Sequence, residues 1–287
     1  MSKNKNTNDD KIIRAVDIKG EKIHSEMDMS YGQYLNLKDV LASQNPVSDE
    51  HDEMLFIIIH QTSELWIKLC LHEVKGAIAQ IQKDDPGPAF KMLARISLIQ
   101  AQLIQSWEVL TTLTPSDYLK FRDKLGRSSG FQSYQYRLLE YLVGNKNESL
   151  AKIHENNDKA YVKLKDALNT ASLYDETLKL LSRSGFKIPK ESLERDWSQP
   201  YEASEAVEDV WLEIYQNETK HWVFYELAEK LVDFEQHFQH WRFSHLKTVE
   251  RIIGHKRGTG GSSGAPYLAQ ALRLSFFPEL WSVRTRL

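Results

Sequence analysis

HDEMLFIIIHQTSELWIKLCLHEVKGAIAQIQ, residues 51–82, is the stretch that decides the fold. It contains no Pro, and its one Gly, Gly76, falls late. At a helical period Leu55, Ile58, Ile59, Leu65 and Leu69 make one apolar stripe. Phe56, Ile57, Ile67, Leu71, Val74, Ile78 and Ile81 make a second. One stripe lays a helix on a surface, whereas two broad ones require burial on more than one side. The stretch therefore predicts the central helix of a helical core. Directly after its most apolar run comes a polar insertion, His60-Gln61-Thr62-Ser63-Glu64. Polar groups in such a place cost about 2–7 kcal/mol unless satisfied, so other groups of the chain or a ligand must meet them.

Working outward, residues 1–20 read as a loose tail. In MSYGQYLNLKDVLAS the residues Tyr31, Tyr34, Leu35 and Leu41 share one helical face behind a Ser30 cap. Pro46 breaks the chain and Ser48 can cap the central helix. Asp84-Asp85-Pro86-Gly87-Pro88 stops it. A third helix reaches about Leu113, and Thr114-Pro115 caps a fourth that ends at Gly126. FQSYQYRLLEYLV is another helix, two shorter ones follow between about Glu148 and Leu181, and a long helical region runs from about Ala203 to Ile253. GHKRGTGGSSG, residues 254–264, is the Gly-rich segment, and a short helix follows it. No sustained period-2 alternation and no domain-splitting linker interrupt this pattern. The expectation is all-α: a tail over 1–20 and a single helical domain over 21–287.

Composition narrows the function. Hydrophobic residues make up 41% and charged residues 27%, enough apolar content for a sizeable core. A net charge of −3 argues against nucleic acid as partner. One cysteine, Cys70, excludes an intramolecular disulfide framework and fits a reducing cytoplasm. The start, MSKNKNTNDDK, lacks the apolar run of a secretory leader. No segment holds the roughly 18 uninterrupted apolar residues of a membrane span. Seven Trp, twelve Tyr and eleven Phe point to flat surfaces to pack or flat ligands to hold.

Two histidines stand out. His60 follows Phe56 by one turn on the same face, placing an aromatic wall beside a ring nitrogen, which suits a flat heteroaromatic ligand. His245 shares its face with Phe238, Trp241, Val249 and Ile252, so it too points inward, where a neutral imidazole could serve as an axial haem ligand. Either could equally be a hydrogen-bonded core histidine. The segment 254–264 is no P-loop; it reads as a surface connection, or as a flap whose amides and Thr259 hydroxyl close over a ligand. Arg122, one turn after Tyr118, has the fork that binds a carboxylate at two points. A di-iron bundle would need two inward Glu-x-x-His motifs. The candidates are Glu218 with His221, in a predicted helix, and Glu21 with His24, near the tail. His237 and His240 form a further pair with no clear carboxylate partner.

Longer motifs go further. HDEMLFIIIHQTSELWIKL, LTPSDYLKFRDKLGRSSGFQSYQYR, FQHWRFSHLKTV and GHKRGTGGSSG, preceded by YGQYLNLKDVL, resemble in order the motif blocks of the tryptophan 2,3-dioxygenases. The resemblance runs from about Tyr31 to the end. It implies an all-α enzyme that holds haem b, active as Fe2+, and inserts both atoms of O2 across the indole C2–C3 bond of L-tryptophan. The product is N-formylkynurenine, the first on the kynurenine route. Carried over, His245 matches the proximal iron ligand and His60 the distal, catalytic histidine. Phe56, Ile57, Ile58, Ile59, Tyr118, Arg122 and Thr259 match substrate-pocket positions, and Ser129 and Gly130 a loop beside the haem. The Tyr31, Tyr34 and Leu35 segment matches a helix completing a neighbouring subunit's pocket in a homotetramer. Ser244 departs from members with a basic residue before the proximal histidine. The implied partners are L-tryptophan and O2, with no nucleic acid and no membrane. Competing readings are a broader indoleamine-type haem dioxygenase, a non-haem di-iron bundle, and an all-α scaffold without activity.

His60 is expected to orient the indole rather than deprotonate it. The indole N–H lies about ten pK units above an imidazole, so full transfer is uphill by roughly 14 kcal/mol.

Overall fold

A computed structural model describes residues 19–20 and 29–287. Most of the tail expected over 1–20, and the Glu21 and His24 pair, lie outside the described residues. The chain divides into two units, Met1–Asn45 and Pro46–Leu287.

In the first unit, Ser30 begins a capping box with Gln33 and starts helix α1, Tyr31–Tyr34. The expected single helix breaks there. Asn36 adopts a left-handed conformation (φ 50°) and a second short helix, α2, covers Leu37–Val40. Asn tolerates that conformation because its short amide bonds locally, here donating to Asp39 at 2.9 Å.

The second unit is built on α3, His51–Ile81. Its cap differs from the one expected. Glu50 is the N-cap residue, and Glu53 reaches back to accept from the Val47 and Ser48 amides at 2.7 and 2.8 Å and from the Ser48 hydroxyl. The polar insertion does not break the helix, because its side chains bond the preceding turn. Thr62 donates to the Ile58 carbonyl at 2.9 Å and Ser63 to Ile59 at 2.8 Å. Glu64 accepts from Gln135 at 2.7 Å. Burial then diverges along the helix. Ile67, Cys70, Leu71, Val74, Ala77 and Ile81 are buried, whereas Met54, Ile58 and Leu65 are exposed. By length and composition α3 could cross a membrane. Here its second half is core.

α4, Gly87–Leu110, packs along α3 and begins inside the Pro-Gly-Pro stop. Gly76 permits the close approach, since a Cβ there would sit 2.9 Å from Met92 Sδ. Thr114 caps α5, Pro115–Arg122, as expected. α6, Tyr134–Val143, is capped by Ser133 and lies against α3. Where two shorter helices were expected, the region 148–183 holds three, α7, Glu148–Ala151, then α8, Asp158–Leu168, and α9, Leu173–Arg183, the last started by a Ser172 capping box. The short α10, Lys190–Leu193, leads to α11, Glu205–Gln216, and α12, Trp222–Ile253. The chain closes with α13, Ala265–Ala271, and α14, Pro278–Ser282. Among the described residues there is no strand.

α12 packs on α4 and is locked in place by charge. Arg242, 3% exposed, donates to Glu140 of α6 at 2.7 Å and to the Ala271 carbonyl of α13 at 3.1 Å. Glu235 accepts the Phe276 and Phe277 amides at 2.8 and 3.0 Å. Buried Glu279 accepts from Tyr174 and Tyr201 at 2.8 and 2.6 Å, tying α14 to α9. The Arg242 and Glu235 pairings fix the rotation of α12, and with it the direction in which His245 points.

Candidate functional site

A small cluster apart from the main core gathers Phe56 and Ile59 of α3, Trp107 and Leu110 of α4, Tyr118 and Phe121 of α5, and Ile252 of α12. Four helices contribute, and together these residues form a largely aromatic wall. The Phe56 ring lies 4.2 Å from His60 and 5.7 Å from both Tyr118 and Phe121. His60 Nδ1 sits 2.7 Å from the Phe56 carbonyl. A carbonyl only accepts, so Nδ1 carries the proton and Nε2 is left as an acceptor. Burial pushes the imidazole pKa down, against the Phe56 bond and the Glu64 charge, which favours the neutral ring.

His245 comes from α12. Trp107 lies flat against it, ring centroids 4.5 Å apart and planes 5° from parallel, and Trp241 contacts it at 5.8 Å. Dense surroundings push its pKa down to about 4, first by burial and then by His60, which is close enough for one charge to oppose the other. The two histidines, 185 positions apart in sequence, thus face a common region as neutral rings.

The Gly-rich segment 254–264 closes down beside this region. Arg122 Nη2 donates to the Arg257 carbonyl at 2.8 Å, and Thr259 Oγ1 to the Ser128 carbonyl at 2.5 Å. Gly260 rests on Ser129, where a Cβ would come within 2.6 Å of the serine Cβ. Trp107 Nε1 and Arg122 Nε are buried without a hydrogen-bond partner among the described residues. Both are donors, so what they lack is an acceptor.

Known proteins share this chain's sequence over nearly its full length. The family model described as "Tryptophan 2,3-dioxygenase" matches residues 17–170 and 166–287. A Bacillus thuringiensis subsp. konkukian protein named tryptophan 2,3-dioxygenase is 56% identical over 267 residues, covering 92% of this chain and 96% of its own. Proteins of the same name from Shewanella woodyi (54% over 269 residues, 93% and 94% covered) and Erythrobacter litoralis (57% over 258 residues, 90% and 98% covered) agree.

The chain belongs to the tryptophan 2,3-dioxygenase family.

As a tryptophan 2,3-dioxygenase family member it can be compared with its sequence motifs position by position. Phe56, His60, Tyr118, Arg122 and His245 come together, and Tyr118, its phenol pKa raised by burial, sits beside the Arg122 charge. Ser129 caps a short 3-10 turn starting at Gly130 and seats the flap, while Thr259 reaches Ser128. Of the isoleucine run only Ile59 packs in the aromatic cluster. Ile57 is half-buried and Ile58 is exposed, because successive helix residues turn 100° apart. Tyr31, Tyr34 and Leu35 belong to the first unit and are exposed.

Trp107 escaped the sequence reading as a site residue. Its only sequence signal was an indole on the Leu103 and Leu110 side of α4, which reads equally well as core. A neutral imidazole at His245, an acceptor nitrogen on nearby His60, flat rings around them and unpaired buried donors fit a flat group bearing carboxylates, such as haem with its propionates. The di-iron alternative loses its frame. Glu218 and His221 fall in the break between α11 and α12, not inside a helix, and no metal-binding cluster exists among the described residues. His221 instead lines a cavity of about 590 Å3 with Phe186, Glu213 and Phe224, which includes none of the haem or substrate candidates.

Proposed function

We propose that this protein is a haem-dependent dioxygenase that inserts both atoms of O2 across the indole C2–C3 bond of L-tryptophan, giving N-formylkynurenine. The observation that carries this reading is that His60 and His245, both held neutral by burial, lie close enough for the charge of one to act on the other, in a family member whose Arg122 and Thr259 both bond across to other segments. Haem b held by His245 supplies a ferrous centre that activates O2. The remaining work falls to side chains of this chain.

His245 reaches the site as a neutral ligand because burial keeps the proton off, and Trp107 holds its plane. His60, protonated at Nδ1, offers Nε2 to the indole N–H and so orients the ring without removing its proton. Phe56 and Phe121 supply apolar faces for the indole and exclude water. Arg122 takes the carboxylate through its fork, and Thr259 takes the ammonium on its hydroxyl oxygen. Two polar anchors at the chiral centre and a flat slot for the ring select the L-isomer. Ile59 continues the substrate wall, and Ser129 and Gly130 border the haem.

The same reading assigns the exposed Tyr31, Tyr34 and Leu35 to a neighbouring subunit's pocket in a homotetramer, and the protein to the cytoplasm. Exposed Met54, Ile58 and Leu65 on α3 supply apolar area for such an assembly. The test is the absorption spectrum of the purified protein with and without L-tryptophan, alongside O2 uptake. A Soret band, and one N-formylkynurenine per O2, are expected. Iron without a Soret band, or turnover of D-tryptophan and tryptamine as fast as of L-tryptophan, would reject it.

A further inference from the structure

Building on that reading, we propose that Glu64 is a positioning residue for His60. Held by Gln135 of α6, its carboxylate keeps a fixed negative charge one helical turn beyond the imidazole. That charge strengthens the bond from the indole N–H to Nε2.

Residues four apart on a helix share a face, so Glu64 and His60 look out from the same side of α3. Glu64 is half-buried and is the one acid of the polar insertion. Burial drives the imidazole pKa down, whereas the Phe56 bond and the Glu64 charge both drive it back up. Those two influences do different work. The Phe56 carbonyl takes the Nδ1 proton at 2.7 Å and so settles the tautomer. A negative charge nearby makes the remaining lone pair, on Nε2, a better acceptor. Nε2 is the atom to which the functional reading gives the substrate N–H.

The group that holds the carboxylate is neutral. Gln135 Nε2 donates to Glu64 Oε2 at 2.7 Å and to the Glu64 main-chain carbonyl at 3.1 Å, with one amide hydrogen for each. Two bonds from one amide fix the side chain relative to its own backbone, and they orient the carboxylate without cancelling its charge. Farther along the same helix the other solution is used. Glu73 pairs with Arg95 at 2.6 Å, where a cation offsets its charge. Gln135 also comes two residues after the Ser133 cap of α6, just beyond the turn Gly130–Gln132. The segment assigned to the haem border therefore also sets the charge beside the distal imidazole.

The test uses the full-length, haem-loaded protein with L-tryptophan and with 1-methyltryptophan, which has no indole N–H to give. Dissociation constants come from spectral titration and kcat/KM from steady-state kinetics, for wild type, Glu64→Gln and Gln135→Leu. Glu64→Gln keeps an acceptor for Gln135 and removes only the charge. It should weaken L-tryptophan binding and lower kcat/KM about 2- to 5-fold, part of the worth of one hydrogen bond. The values for 1-methyltryptophan should stay unchanged, whereas damage to the fold would lower both substrates alike. Gln135→Leu, which frees the carboxylate, should act in the same direction, and the double variant should be no worse than Glu64→Gln alone. Equal losses with the two substrates, additive losses in the double variant, or no loss with L-tryptophan would overturn the proposal and leave the functional reading in place. Wild type that neither binds nor turns over L-tryptophan would overturn that reading, and this proposal with it.

Discussion

The indole of Trp107 lies parallel to the imidazole of His245, 4.5 Å between centroids and 5° between planes. One ring comes from the end of α4 and the other from the last third of α12, so the contact records how those two helices pack. An imidazole held on one face by a large flat ring keeps a fixed plane, which a metal ligand requires. Replacing Trp107 by Leu is expected to leave the fold intact, weaken haem retention several-fold and alter the iron–histidine vibration. Haem titration and resonance Raman spectra check this. His245→Ala should lose bound haem or its normal spectrum. A five-coordinate, histidine-ligated ferrous spectrum in that variant would remove His245 from the role.

The acid limb of stability should report His245. Its folded pKa of about 4 lies below the ordinary 6.5, so between those values the unfolded chain binds more protons. Haem-free protein is therefore expected to lose stability as pH falls from 6.5 toward 4, by at most about 3 kcal/mol from this group. Melting across that range, compared with His245→Leu, should show a flatter acid slope in the variant.

His60→Ala should reduce turnover without abolishing it. Loss of one orienting hydrogen bond corresponds to roughly 10- to 100-fold in kcat/KM. 1-Methyltryptophan, which has no N–H to donate, should show a smaller penalty from the same substitution. Complete loss of turnover with haem and tryptophan still bound would mean that His60 does more than orient.

For Arg122→Lys a fall in kcat/KM of roughly 10- to 100-fold is expected, because an ammonium cannot match a carboxylate at two points in a plane. Steady-state kinetics with L-tryptophan decide it, and an unchanged value would take Arg122 out of the substrate site.

Arg242→Met breaks the buried link among α6, α12 and α13 and strands part of the Glu140 charge. A loss of about 3 kcal/mol is expected, read from thermal unfolding of the haem-free protein.

Cys70, fully buried on α3 with its thiol pKa pushed up to about 12 by burial and then by Glu73, should resist thiol reagents until the protein unfolds. Rapid labelling of the native protein would contradict its place in the core.

Sequence alone determined the helical class and most element ends, because those depend on local chemistry. Two apolar stripes put residues 51–82 at the centre, Thr114 capped the helix it begins, and Asp84–Pro88 stopped one. The motif blocks named the family and the candidate residues. Local reasoning failed where one short-range bond displaced another. Ser48 gave its hydroxyl to Glu53 instead of capping, and Asn36 split a predicted helix by turning left-handed. Only the tertiary structure decided that Glu64 of the polar insertion is met by Gln135, 71 positions away. It also decided that Trp107 backs His245, and that Arg122 holds the flap. Periodicity tells a side chain which face of its helix it occupies. What it meets there depends on the rotation and separation of packed helices, set by contacts between residues far apart in the chain.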